Sequence, residues 1–296
     1  MNAYLAVPGF LDELKVELEG YIDSVYGELV LAEPPPHAVY WVSNIWFNAQ
    51  IIPIESISDA AKKLRAMGAL WAHYPFENIR RAKLIEEKLP QLRPRALVFL
   101  EQKNLPPLGS WTLIETNKMI ASAECQSLFP NGDVQFQENK EDAPSRAYLK
   151  LWEVFTIYGV KPRAGEKVLD MGSCPGGWTW VLHSMGCHVT SVDRSELDPR
   201  VMKLKNVRFI AHNAFTIEPS VIGPIDWFFS DIICEPHKLY ELVQKWMSLG
   251  LCEKFICTIK MKGRADFKTT RLFAAIPGSR VVHLNHNKHE LTWIRA

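Results

Sequence analysis

Apolar positions recur along the chain with two periods. Short apolar runs bounded by charges or turn residues at 4–7, 28–32, 37–42, 96–100, 111–115 and 119–123 read as strands. Apolar residues three and four apart at 10–19, 57–67 and 77–87 read as helices. Over residues 1–75 the order is β-α-β-β-α, with Pro34-Pro35-Pro36 turning the chain between the second and third strands. That order predicts a small α+β ferredoxin-like domain with its helices on one face. Residues 76–140 continue with a helix, short strands and a turn at Asn131-Gly132-Asp133, and the polar stretch 137–143 reads as a linker. From residue 145 the pattern changes. Apolar runs at 167–170, 187–192, 207–210, 226–230, 254–259, 281–284 and 290–294 alternate with helical spacing. They predict an α/β, Rossmann-like domain over 141–296, with a seven-stranded, mostly parallel sheet covered on both faces. The short connection between the last two runs predicts an antiparallel hairpin at the sheet edge.

The first run of that second region ends in Asp170-Met-Gly-Ser-Cys-Pro-Gly-Gly-Trp, and the helical pattern begins at its end. Glycines at Gly172, Gly176 and Gly177 remove the Cβ atoms that would keep a ligand from the loop backbone and the helix N-terminus. Asp193 closes the next strand, 23 residues after Asp170, where a carboxylate accepts hydrogen bonds from ribose hydroxyls. The glycine spacing does not match the dinucleotide fingerprint G-x-G-x-x-G, and Pro175 lacks an amide for a pyrophosphate. An acidic Asp170 and a Pro-Gly-Gly turn suit a nucleoside cofactor without phosphates, S-adenosylmethionine, against a purely structural turn or a NAD site.

The run resembles the D-x-G-x-x-P-G-G-[WF] motif of the FtsJ-type ribose 2′-O-methyltransferases. Upstream, Ala143-Pro-Ser-Arg-Ala-Tyr-Leu-Lys-Leu-Trp-Glu153 is similar to the family segment S-R-x-x-x-K-L-x-E. Downstream, Ser230-Asp231, the Lys260 that ends Phe255-Ile-Cys-Thr-Ile-Lys, and Glu290 in His289-Glu-Leu-Thr-Trp follow in the family's order. The resemblance covers about half the chain well, from Asp142 onward, and is strongest to the RlmM-type branch, which methylates a cytidine ribose in large-subunit rRNA. It implies a Lys-Asp-Lys-Glu catalytic tetrad at Lys150, Asp231, Lys260 and Glu290, with Lys260 as the orienting general base. It also implies cofactor contacts from Ser145, Asp170, Gly172, Ser173, Cys174, Pro175, Gly176, Gly177, Trp178, Asp193, Asn213 and Asp231. Ser145 reads equally well as a helix N-cap, and Asn213, where the family has Asp, as an ordinary turn residue. That branch carries a ferredoxin-like domain followed by an RNA-gripping THUMP module. Here residues 76–140 would be a shortened THUMP-like segment.

Chemistry supports the tetrad from the other side. Methyl transfer from a sulfonium is an in-line displacement, so a ribose hydroxyl must be oriented, deprotonated and kept from water. A lysine ending an apolar strand at the ligand edge of an open α/β sheet is placed for that task. Burial and the charge of Lys150 are both expected to lower the pKa of Lys260. Taken singly, each of the four residues reads as a surface charge.

Composition sets bounds. With 34 Lys and Arg against 33 Asp and Glu, the net charge of +1 is not that of a strongly basic nucleic-acid binder, so RNA contact calls for local patches. Arg146, Lys262, Arg264 and Lys288 are the candidates near the catalytic edge, although solvated charges are the plainer reading. The six cysteines show no CxxC pair or zinc spacing. They read as thiols of a reducing cytoplasm. His286 and His289 lack the further ligands a metal site needs. No signal sequence or spanning run is evident, and a cytoplasmic protein is expected. The leading expectation is an rRNA 2′-O-methyltransferase; the alternative is a non-catalytic RNA-binding or ribosome-assembly protein that keeps the fold.

Overall fold

The structure, a computed structural model, describes residues 1–101 and 104–296. It falls into two compact units, Met1–Leu97 with Gln102–Gln135, and Val98–Glu101 with Phe136–Ala296.

The first unit contains β1 (Asn2–Ala6), α1 (Leu11–Glu17), β2 (Ile22–Tyr26), β3 (Leu29–Ala32), β4 (Val42–Phe47), β5 (Gln50–Pro53), α2 (Ile57–Met67), β6 (Trp71–His73), α3 (Ile79–Glu86), β7 (Gly109–Glu115), β8 (Lys118–Ser122) and β9 (Glu124–Cys125). One sheet runs β2-β3-β1-β4-β9, with β1 antiparallel to both β3 and β4. The β1-α1-β2 crossover with β3 inserted is the first half of a ferredoxin-like arrangement. The second half departs from the expectation: β2 is an additional strand, the chain passes from β3 to β4 through a turn, and the helix expected to follow the third strand does not cover this sheet. Pro34-Pro35-Pro36 lie in that connection, and three residues without amides cannot support a helix there. The strand expected at 37–42 begins only at Val42, and Leu97 makes a single bridge where a strand was expected over 96–100.

Helix α2 instead covers a second sheet, β5-β8-β7-β6. Its Ala60, Ala61 and Leu64 join Ala82 and Ile85 of α3 over Trp71, Trp111, Leu113, Met119 and Ala121 in one buried cluster. Strands from both sides of residue 75 therefore share a sheet and a core. Helix α2 starts cleanly because Ser56 caps it, its hydroxyl accepting the amide of Asp59 at 3.1 Å. The edge strands β2 and β5 are largely exposed, so they bear no alternating apolar signature.

The second unit contains α4 (Tyr148–Ile157), β10 (Lys167–Met171), α5 (Gly177–Ser184), β11 (His188–Asp193), α6 (Pro199–Met202), β12 (Val207–Ala211), α7 (Pro219–Ile222), β13 (Trp227–Ser230), α8 (Pro236–Ser248), β14 (Lys254–Lys260), α9 (Phe267–Ala274), β15 (Ser279–Val282) and β16 (Glu290–Arg295). Seven strands form one mixed sheet, β12-β11-β10-β13-β14-β16-β15. The first five are parallel, and β16 runs antiparallel between β14 and β15. The expected edge hairpin is thus present, with its returning strand inserted next to β14. The central strands bury nearly every residue, as a sheet covered on both faces requires. The strand order reverses between β10 and β13, so the loops that follow these two strands border the crevice where open α/β sheets hold ligands. Among the described residues, no helix is long and apolar enough to cross a membrane.

Candidate active site

Both halves of the expected site lie at the C-terminal edge of the parallel strands. In the first, Asp170 ends β10 fully buried. Thr179 of α5 donates its hydroxyl to Asp170 Oδ2 at 2.7 Å, and the hydroxyls of Thr179 and Ser191 lie 2.7 Å apart. Oδ1 of Asp170 has no hydrogen-bond partner. Burial pushes the Asp170 carboxyl up to about 7, against the lowering effect of the Thr179 hydrogen bond.

The loop after Asp170 owes its path to two glycines. Gly172 has φ +76°, and a Cβ there would stand 2.8 Å from the Cα of Ile232, in the loop after β13. The two loops that border the crevice therefore approach as closely as backbones without side chains allow. Gly176 has φ +109° and packs against Val201. A Cβ on Gly177, the first residue of α5, would meet Ser145 Oγ at 2.6 Å. The amide of Gly172 donates to the Val192 carbonyl, and the Pro175 carbonyl accepts the amide of Asp198, each at 2.9 Å. Cys174 donates its amide to Asp193 Oδ2 at 3.1 Å, while Ser195 donates to Oδ1 at 2.9 Å. Asp193 is thus held in place at the end of β11 by two loop amides, with lone pairs remaining on both oxygens.

The hydroxyls of Ser145 and Ser173 are buried without partners. Ser145 does not cap α4, whose N-cap residue is Ala147, so the N-cap reading of Ser145 is corrected. Trp178 is buried, donates to the Ala147 carbonyl at 2.9 Å and meets Phe229 edge-on. It is a core residue that braces the loop. Asn213 accepts the amide of Phe215 through Oδ1 at 3.1 Å. This bond is that of a local turn, the alternative the sequence offered for Asn213.

In the second half, four charges converge from three strand ends and a helix. Lys150 on α4 reaches Asp231 Oδ1 at 2.9 Å and Glu290 Oε1 at 2.7 Å. Lys260 reaches Asp231 Oδ1 at 2.9 Å and Glu290 Oε2 at 3.7 Å. Lys260 and Glu290 are direct partners in the β14–β16 register, so the antiparallel insertion of β16 is what brings the fourth member in. The lysines differ in access: the Lys150 side chain is 9% exposed, that of Lys260 20%. Burial alone would lower the Lys150 pKa, but the charges of Asp231 and Glu290 outweigh it and the net shift is upward. Burial likewise opposes ionisation of Asp231, and the two ammonium groups reverse it, holding the carboxyl below its ordinary value.

The candidate RNA contacts are dispersed. Arg146 pairs with Glu138 at 2.7 Å and Lys262 lies 3.5 Å from Glu235, both on the surface. Arg264 and Lys288 are exposed, and the Lys288 amide lies 3.5 Å from Glu290 Oε1. Trp152 is buried and stacks on the half-buried Phe99.

Two residues to which the sequence reading gave no role, Thr179 and Glu153, support the site. Thr179 follows the glycine loop directly, and only the fold shows that its hydroxyl faces Asp170. Glu153, three residues after Lys150, is buried; it accepts the Asn285 amide at 2.9 Å and lies 3.2 Å from His286 Nδ1. It thereby anchors to α4 the loop that leads into Glu290. Its spacing of one helical turn from Lys150 was the available signal.

Residues 143–270 match the model of the FtsJ-like methyltransferases. A ribosomal RNA large subunit methyltransferase M from Aromatoleum aromaticum is 34% identical over 182 residues, 56% of this chain and 49% of that protein. Its counterpart from Alkalilimnicola ehrlichii is 28% identical over 249 residues, 77% of this chain and 68% of that protein. This chain thus spans about half the length of the first relative and about two thirds of the second. A pre-rRNA processing fibrillarin from Methanococcus jannaschii gives a TM-score of 0.36 at 15% identity over 46% of this chain and 68% of that one, too slight a likeness to add to the topology above. Residues 143–270, which carry the glycine loop, Lys150, Asp231 and Lys260, are thus similar to the FtsJ-like methyltransferases.

Proposed function

We propose that this methyltransferase acts on ribosomal RNA, transferring a methyl group from S-adenosylmethionine to a ribose 2′-hydroxyl, with a large-subunit cytidine as the target. The observation that carries the reading is the Lys150–Asp231–Lys260–Glu290 cluster, with all four side chains within ion-pair distance at the crevice edge of the sheet. When bound, the cofactor supplies an electrophilic methyl on a sulfonium. The groups left unsatisfied around the glycine loop fit it. Asp170 Oδ1 is an acceptor without a donor, and the Ser145 and Ser173 hydroxyls are donors without acceptors. An amino acid tail, bearing an ammonium and a carboxylate, answers both. Asp193 retains lone pairs for ribose hydroxyls.

In this reading Lys260, the more accessible lysine, meets the substrate hydroxyl as the orienting general base and accepts its proton. Asp231 fixes the direction of Lys260. Lys150, tied to both carboxylates, keeps them from repelling each other and so holds the set together. Glu290 closes the array through its register with Lys260. The buried loop and strand ends exclude water from the side of the sheet. Residues 1–140 serve as the RNA-holding part, with 76–140 as a shortened THUMP-like segment, and the protein works in the cytoplasm. The rRNA target is carried over from the names of the relatives.

The test is incubation of the purified protein with S-adenosylmethionine and total RNA from cells lacking it, followed by nucleoside analysis. The reading expects a 2′-O-methylnucleoside in large-subunit rRNA. A methyl on a base, or none, would overturn it.

A further inference from the structure

The near-neutral total charge conceals a sharp segregation within the first unit. Residues 1–56, which build most of the first sheet, carry one basic residue, Lys15, against eight carboxylates. Residues 57–97, which hold α2, β6 and α3, carry nine basic residues against four carboxylates. Asp59 is paired with Lys63 at 2.8 Å, which leaves eight basic residues against three carboxylates.

The basic residues fall on one layer. The apolar sides of α2 and α3 are buried together over the second sheet, so their charged sides point outward. Lys62, Arg65, Arg80, Lys83 and Lys88 are exposed, and Arg65 Nη1 donates to the Lys88 carbonyl at 3.0 Å, linking the two helices. Between the helices lies an open cavity of about 640 Å³, lined by Ser56, Ser58, Arg81 and Lys88 together with Glu55 and Glu87. The Nε of Arg81 is buried there without a hydrogen-bond partner. A guanidinium with an unmet donor on a basic face is suited to a phosphate oxygen.

We propose that the outward face of α2 and α3, around Lys62, Arg80, Arg81, Lys83 and Lys88, is where the RNA phosphate backbone docks, and that the acidic first sheet takes no part. The inference rests on the reading of the protein as an RNA methyltransferase and narrows it, assigning the grip to one helical layer. Phosphate contacts position RNA without reading its sequence, so this face supplies affinity and orientation while the target is chosen elsewhere.

The experiment uses the full chain and a fluorescein-labelled RNA stem-loop, titrated over a salt series. It compares wild type, the triple variant Lys62→Ala/Arg80→Ala/Lys83→Ala, and a first-sheet control, Asp12→Ala/Glu19→Ala/Asp23→Ala. Each lost phosphate contact removes about 0.7–0.9 from the slope of log affinity against log salt. The expected result is a slope shallower by about two for the basic-face variant, an unchanged slope for the control, and unchanged S-adenosylmethionine binding by calorimetry in both. Equal affinities and slopes for wild type and the basic-face variant, with cofactor binding intact, would overturn the docking face but leave the methyltransferase reading standing. Polyglutamate competing as well as RNA of equal charge would make this a surface for acidic proteins and overturn the RNA assignment. A wild-type protein that binds cofactor but no RNA would overturn it as well.

Discussion

The two lysines of the charge cluster have different physical tasks. Lys150 is nearly buried and neutralises two carboxylates at 2.9 and 2.7 Å. Removing its charge strands Asp231 and Glu290 beside each other, and breaking a buried pair costs about 3–5 kcal/mol. Lys150→Met should therefore lower unfolding free energy by about that much in urea, whereas Lys260→Met, at a more exposed position, should cost clearly less. Asp170 gives a second handle at this scale. Its carboxyl is raised from 3.8 to about 7 in the folded protein, so between those values the native state holds a proton that the unfolded chain has released. Stability contributed by this group therefore falls as pH rises from about 4 to about 7 and is level above that. Urea midpoints across that window should show the decline in wild type and lose it in Asp170→Asn, with the cofactor absent. The residues at these positions were legible through the resemblance to the family's motifs, since each taken singly reads as a surface charge. The different burial of the two lysines was not, because it depends on α4 lying over the strand ends.

At the scale of elements, the glycine loop and the loop after β13 are built to touch. Gly172→Ala would place a Cβ 2.8 Å from the backbone Cα of Ile232 at a left-handed φ of +76°. The backbone conformation alone costs about 1–2 kcal/mol for a residue with a Cβ. At Gly177 the clash is with Ser145 Oγ, the end of a side chain that can rotate away. Thermal unfolding should rank Gly172→Ala well below Gly177→Ala. Cofactor calorimetry should show binding weakened in both, because the glycine loop would shift away from Ile232 in the first and Ser145 would swing out of its buried position in the second. The parallel core was readable because strands buried on both faces appear as continuous apolar runs. Strands β2 and β5 were not, because edge strands facing water keep no such signature. The helix missing from the first sheet was the opposite case: the ferredoxin-like order encouraged a second helix there. Tertiary packing assigned α2 to another sheet, through Ala60, Ala61 and Leu64.

For the whole molecule, a net charge of +1 conceals an acidic sheet and a basic helical layer within one unit, while the catalytic cluster is internally neutral. Binding of RNA by this protein should accordingly be steeply salt-dependent despite its near-zero charge, because the local patch rather than the sum sets counterion release. The sequence disclosed the chemistry through motifs that each carry their own residue signature, although Lys150 and Glu290 stand far apart along the chain. It concealed the sheet pairing that unites residues on either side of position 75, since those contacts span long separations. The central claim is that Lys260, held by Asp231 and Glu290, enables methyl transfer to a ribose hydroxyl. The direct measurement is single-turnover transfer of labelled methyl from S-adenosylmethionine to large-subunit rRNA by wild type and Lys260→Ala, with the product mapped to the ribose. A rate lower by about 10²–10⁴ in the variant, with cofactor affinity unchanged, is the predicted result. A variant that turns over at the wild-type rate would contradict the account.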